Sequence, residues 1–160
     1  MALRQIREMG DEILLKPCRD VKEITPHVKE LIDDMFETLY DAEGVGLAAP
    51  QIGILKKIVI IDTGDDPHVL INPVILETSG EQEGSEGCLS VPGKYGIVKR
   101  PMYAKVMYYD ENMERQELEG TGLLARAICH ELDHLEGKLY VNLVEDGLHD
   151  VEEPKEEEEE

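Results

Sequence analysis

Basic side chains are scarce in this chain: sixteen Lys and Arg stand against thirty-six Asp and Glu in 160 residues, a formal charge of −20. Nucleic-acid binding rests on clustered Lys and Arg that neutralise phosphates, so direct nucleic-acid binding is not expected. Cysteine is also sparse. Cys18, Cys88 and Cys129 are too few and too irregularly spaced for a disulfide framework, and such thiols in a reducing compartment are catalytic, metal-binding or buried. No apolar run approaches the length that spans a bilayer, and Met1 to Arg7 has neither an apolar core nor a small-residue cleavage site. A cytoplasmic protein with no membrane partner is therefore expected. Internal repeats are lacking too, and 160 residues suit one domain around a single core.

Much of the acidic excess is local. Glu152-Glu153-Pro154-Lys155 followed by Glu156 to Glu160 is a like-charge block with nothing to bury. A folded catalytic domain over 1–147 and a solvated, disordered acidic tail over 148–160 are expected. Upstream, Thr25-Pro26 reads as a helix cap and first turn, with Val28, Leu31, Ile32, Met35, Phe36 and Leu39 at helical spacing until Gly44 supplies a stop. Lys57 to Asp62 holds the β-branched run Ile58-Val59-Ile60-Ile61, and Val69 to Leu76 reads as a second strand in which Pro73 marks an edge or a bulge. After a Gly-rich loop, Tyr103 to Tyr109 and Glu114 to Glu119 flank the turn residues Asp110-Glu111-Asn112, an antiparallel hairpin. A second helix runs from near Thr121 to near Gly137. Helix, mostly antiparallel strands, then helix is an α+β order rather than alternating βαβ units.

The chemistry concentrates in that second helix, in His130-Glu131-Leu132-Asp133-His134, an HExxH pentapeptide. At about 100° per residue, two histidines four positions apart share a face, one turn from each other. Leu123 and Ala127 fall on that face; Leu124, Ile128, Leu132 and Leu135 form a second apolar face, and Arg126, Cys129, Asp133 and Glu136 take the remaining sector. A helix apolar on two sides should run through the middle of the domain. Glu131 lies between those sides, where poor hydration raises its proton affinity and a nearby cation opposes this. A divalent site needs a third protein ligand. Cys88 is the best candidate, in Glu86-Gly87-Cys88-Leu89-Ser90, where Gly84 and Gly87 permit a tight backbone course. Cys129 points away from an ion bridging both histidines and reads as packing, as does Cys18. His27, His68 and His149 have no ligand spacing and read as surface residues. Asp133 can orient a ligand histidine or form a salt bridge with Arg126 or another base.

Three dense segments now stand together: Gly44 to Gln51 (GVGLAAPQ), Glu86 to Ser90 (EGCLS) and the HExxH helix. In these, and in their order and separation, the chain resembles the peptide deformylases, over roughly residues 3 to 143. The resemblance implies an α+β fold with mixed, mostly antiparallel sheets around the central HExxH helix. It implies metal ligation by Cys88, His130 and His134 with a fourth place left to water, and Glu131 as the base that activates that water and the acid that protonates the leaving amine. Gln51, through its amide, and Leu89, through its backbone N–H, would stabilise the oxyanion, while Gly44, Val45 and Gly46 would line the substrate channel. The implied activity is metal-dependent hydrolysis of the N-formyl group of the initiator N-formylmethionine of nascent polypeptides, releasing formate. The implied cofactor is one divalent ion, iron(II) in the cell, with zinc, nickel or cobalt also accepted by such a donor set. Implied partners are N-formylmethionyl nascent peptides and a transient ribosome association, although the acidic tail would repel RNA phosphates. Cys129 departs from the family, which often carries Gln there. The competing readings are an HExxH metallopeptidase acting on unformylated peptides, whose third ligand usually lies downstream, and a structural zinc site, which would need a fourth protein ligand.

Overall fold

The Thr25 side chain accepts a hydrogen bond from the Val28 N–H at 3.2 Å, and Pro26 opens helix α1 (Pro26–Asp41), as the cap pattern predicts. Val28, Leu31, Ile32, Met35 and Leu39 are buried on its inner face. The helix ends differently from expectation. Glu43, at φ 56°, takes the left-handed position, with its N–H donating to Tyr40 O and that of Gly44 donating to Leu39 O at 3.0 Å. This is a Schellman termination with Glu rather than Gly at the left-handed residue. Gly44 is required for space instead: a Cβ there would lie 2.8 Å from Leu89 Cδ1 and 2.9 Å from Leu39 Cδ1.

The computed structural model describes residues 2–144 and 147–151. Its strands are β1 (Gly46–Ala48), β2 (Ile58–Ile61), β3 (His68–Ser79), β4 (Gln82–Cys88), β5 (Val91–Arg100), β6 (Tyr103–Tyr109), β7 (Arg115–Thr121) and β8 (His149–Asp150). They form a five-stranded sheet in the order β1-β2-β3-β6-β7 and a three-stranded sheet in the order β4-β5-β8. Every ladder is antiparallel, and Arg19 with Lys56 makes an isolated parallel bridge. With helix α2 (Leu123–Leu135), the architecture is the expected α+β.

The large sheet is a wall between the helices, which explains the unbroken β-branched run of β2. Ile58 and Ile60 pack with α1, whereas Val59 and Ile61 pack with Ala125, Ala127 and Ile128 of α2, so both faces of the strand are buried. Pro73 lies in an interior strand, not at an edge. The ladder tolerates it because the register slips between the pairs Ile71–Tyr109 and Val74–Met107, a bulge, and Asn72 adopts φ 51° there. The Asn72 amide locks the kink by accepting from the Val21 N–H and donating to its carbonyl, both at 2.8 Å. The β6–β7 hairpin matches expectation, with the Asp110 carboxylate accepting from the Asn112 and Glu114 N–H groups.

The Gly-rich stretch after β3 is a correction: it is the β4–β5 hairpin, not a loop. Gly93 takes φ 76° with open space around it, whereas Gly96 answers to packing. At Gly96 a Cβ would fall 2.4 Å from Val144 Cγ2. Strand β8, which the charge pattern had grouped with the tail, pairs His149 with Tyr95 and Asp150 with Lys94; the two rings stack at 5.2 Å and Lys94 forms an ion pair with Asp150. The acidic block from 152 onward lies outside the described residues. No helix among the described residues is long and apolar enough to cross a membrane.

Helix α2 buries Ala125 through Glu131, then His134 and Leu135. Two residues depart from the expected faces. Leu123 is 53% exposed at the first turn, and Arg126, assigned to a polar sector, is buried. The reason for Arg126 is a buried carboxylate described below.

Candidate active site

One sulfur and two imidazoles converge where β4 meets α2. The ligand atoms of Cys88, His130 and His134 lie within 4.8 Å of one another, and Cys88 Sγ is 3.3 Å from His134 Nε2. Metal–sulfur and metal–nitrogen bonds of about 2.3 Å and 2.0–2.1 Å place tetrahedral donors roughly 3.5 Å apart, so this spacing fits a single ion. The sequence signals for these positions are local: helical spacing for the histidines, and for Cys88 the last residue of β4 at an irregularity in the hairpin ladder between Glu86 and Cys88.

Glu86 sets up the first histidine. Its Oε2 accepts from His130 Nδ1 at 2.5 Å, which turns Nε2 toward the cluster. The same carboxylate accepts from Arg100 Nε and Nη2 at 3.0 and 2.6 Å and from Arg126 Nη1 at 2.8 Å. Burial works to raise the Glu86 pKa, but His130 and Arg100 outweigh it and bring the carboxyl down to about 2. Burial likewise works to lower the His130 pKa, and its bonds to Cys88 and Glu86 overcome this, holding it well above the usual value. His134, which has no such anchor, is pushed down to about 3 by burial and by the charge on His130. One histidine is thus anchored by an anion and the other is held neutral.

Asp133 makes the second of its expected interactions, a salt bridge, with a base other than Arg126. It accepts from Arg100 Nη1 at 2.9 Å, not from Arg126, and so steadies the arginine that holds Glu86. Within the EGCLS segment the sequence points to Cys88 and, through the resemblance, to the Leu89 N–H, but not to the carboxylate two positions before the cysteine. The available signal was the acidic residue in that segment together with two arginines flanking otherwise apolar text.

Glu131 is buried, and its Oε1 has no hydrogen-bond partner among the described residues. Burial pushes its pKa up to about 7. Gly46 faces it closely: a Cβ at that position would stand 2.7 Å from Glu131 Oε2. Gln51, in the 3-10 turn Ala49–Ile52, is oriented from both ends. Its Oε1 accepts from the Ala48 N–H at 2.9 Å, while Nε2 donates to Ser90 Oγ at 3.0 Å and approaches Cys88 Sγ at 3.5 Å. The N–H of Ala48 dictates which end of the amide is oxygen, so the NH₂ group faces the sulfur. A cavity of about 280 Å³ opens over these groups. One side is Gly44, Val45 and Gly46, the other Gly87, Cys88 and Leu89. Every sequence-predicted site residue lies at this cavity or, for Gln51 and His134, beside the Cys88 sulfur that lines it. Cys129 is buried among apolar residues of α2 and the large sheet, and Cys18 packs at the border of the same cluster with its thiol pKa raised to about 11 by burial. His27 and His149 are exposed, and His68 is half-buried.

A buried acid beside three metal-type donors, with an amide donor opposite, is equipped to deliver water to a carbonyl carbon and to receive the charge that develops on its oxygen.

The family model described as "Polypeptide deformylase" matches residues 3–148. A peptide deformylase of Agathobacter rectalis is 63% identical over 94% of this chain and 96% of its own length. The crystal structure of a peptide deformylase from Legionella pneumophila superposes with a TM-score of 0.87 at 42% identity, covering 91% of this chain and 88% of that one. A peptide deformylase from Synechococcus elongatus, in complex with actinonin, superposes with a TM-score of 0.86 at 46% identity, covering 88% and 78%.

Proposed function

This chain belongs to the polypeptide deformylase family, and from that premise we propose that Cys88, His130 and His134 hold its metal while Glu131, Gln51 and Leu89 carry the reaction. The enzyme hydrolyses the formyl amide of N-formylmethionine at the start of nascent polypeptides, giving formate and a free amine. The relatives favour this reaction over peptidase action on unformylated peptides.

A divalent ion held by the three donors supplies Lewis acidity, making water a nucleophile at neutral pH and polarising the formyl oxygen. The chain's own groups do the rest. Glu131 Oε1 takes the proton of the attacking water and returns it to the methionine nitrogen as the C–N bond breaks, a task suited to a carboxyl whose pKa burial has raised. Gln51 Nε2 and the Leu89 N–H donate to the oxygen that gains negative charge. Gly46 and its neighbours present backbone to an extended peptide in the manner of an added strand. Gly44 and Leu89 approach each other closely across the cavity, and a narrow passage between them would admit a formyl group and exclude a bulkier acyl group.

The observation that carries this reading is the meeting of the three donors beside an unpartnered buried carboxylate under one cavity. The ion is iron(II) in the cell, with zinc, nickel and cobalt as substitutes. The enzyme works in the cytoplasm on chains leaving the ribosome, through transient encounters rather than nucleic-acid binding, in keeping with its net negative charge. The test is formate release from formyl-Met-Ala-Ser, with acetyl-Met-Ala-Ser and unformylated Met-Ala-Ser as controls. Turnover is expected with the first alone; peptide-bond cleavage of the third without formate from the first would overturn it.

A further inference from the structure

Beyond its last ligand, α2 ends and the chain doubles back. Gly137 adopts φ 76° with no room for a side chain, since a Cβ would lie 2.5 Å from Leu15 O. The reversal carries Tyr140, at the head of the 3-10 turn Tyr140–Leu143, beneath the metal cluster. Its side chain is 1% exposed and its ring centroid is 5.8 Å from that of His130, at an interplanar angle of 33°. The ring also packs with Val91 and Val98 of the β4–β5 hairpin, and Cys88 borders the same cluster. Tyr140 thus lies between the helix that bears the imidazoles and the hairpin that bears the sulfur. Its hydroxyl is buried and has no hydrogen-bond partner among the described residues, so the ring rather than the O–H makes this bridge.

We infer that Tyr140 is a positioning residue whose ring, wedged between His130 and the Cys88 hairpin, sets the separation of sulfur and nitrogen and thereby the affinity for the ion. The inference rests on the metal reading of the site. Glu86 fixes the His130 ring at its Nδ1 edge, and the Tyr140 ring and the edge-on His134 ring, with centroids 5.8 and 5.0 Å away, limit its turning about the Cβ–Cγ bond. Hydrogen-bonded partners outside a ligand set are worth roughly 10–100-fold in metal affinity, and the expected effect of a packing partner is placed at the lower end of that range.

The experiment titrates cobalt(II) into the wild type, Tyr140→Phe and Tyr140→Leu, reading affinity and the thiolate-to-cobalt absorption band. Tyr140→Phe is expected to match the wild type in both. Tyr140→Leu, which fills space without a planar face, is expected to bind at least about tenfold more weakly with a shifted or diminished band. A general loss of stability would lower the melting temperature without altering the band. Wild-type affinity and spectrum in the Leu variant would overturn the inference. So would a tenfold loss in the Phe variant, a result available even if the Leu variant does not fold. Absence of the band from the wild type would instead contradict the metal reading itself.

Discussion

Glu131→Gln is expected to lower kcat for formyl-Met-Ala-Ser by about 10³–10⁴ while leaving metal content unchanged. The amide keeps the shape that fits against Gly46 and removes the ability to take and return a proton. Glu131 is not among the three converging donors, so the ion has no reason to leave. KM should move little, because the lost interaction belongs to the transition state rather than to peptide binding. Stopped-flow or coupled formate assays on wild type and variant, with metal measured on both, check this. Equal kcat values would remove Glu131 from the chemistry, and loss of metal would recast it as a ligand.

The second large effect is expected at Glu86, through stability and metal affinity together. Its carboxylate is nearly inaccessible, with side-chain exposure of 4%, and compensates Arg100 and Arg126 while anchoring His130. Glu86→Gln leaves two buried guanidinium groups short of negative charge, and breaking a buried pair in this way costs about 3–5 kcal/mol. Metal affinity should fall by about 10–100-fold as His130 loses its orienting acceptor. The loss should depend on pH with a definite sign. The folded-state pKa, about 2, lies below the value near 4.3 of an unfolded glutamate, so the stabilisation is complete above about pH 4.3 and vanishes as pH falls through about 2. Urea unfolding at pH 7, 5.5 and 3 should show the gap between wild type and variant constant over the first interval and narrowing over the second. A gap that widens in acid would show that the carboxyl is not held ionised by its partners.

The parts of the fold that were legible in the sequence are those written in short-range chemistry. Thr25 and Pro26 open α1, Asp110 turns the β6–β7 hairpin, and the two-sided apolar pattern of α2 places that helix inside the domain. The β4–β5 hairpin was hidden because some of its glycines serve contacts, such as Gly96 against Val144, which exist only after the chain has returned. Strand β8 was hidden for a similar reason: two polar residues pair with a strand more than fifty positions earlier.

The converging donors were legible because His130 and His134 declare themselves by helical spacing and Cys88 by its setting. The groups that hold them were not. Glu86 acts on His130 across 44 residues and on Arg100 across 14, so no local pattern contains the network. Arg126 was misplaced for the same reason, since an arginine on a buried helix face makes sense only once its carboxylate partner is known. Tyr140 depends on the reversal at Gly137, which brings an ordinary aromatic position against the His130 ring.

X-ray absorption at the metal edge of the zinc-loaded enzyme tests the central claim most directly. One sulfur at about 2.3 Å, two imidazole nitrogens at about 2.0–2.1 Å and one further light atom are expected, with the sulfur shell absent from Cys88→Ala. A first shell of nitrogen and oxygen alone in the wild type would contradict the account, as would a sulfur shell that survives the substitution.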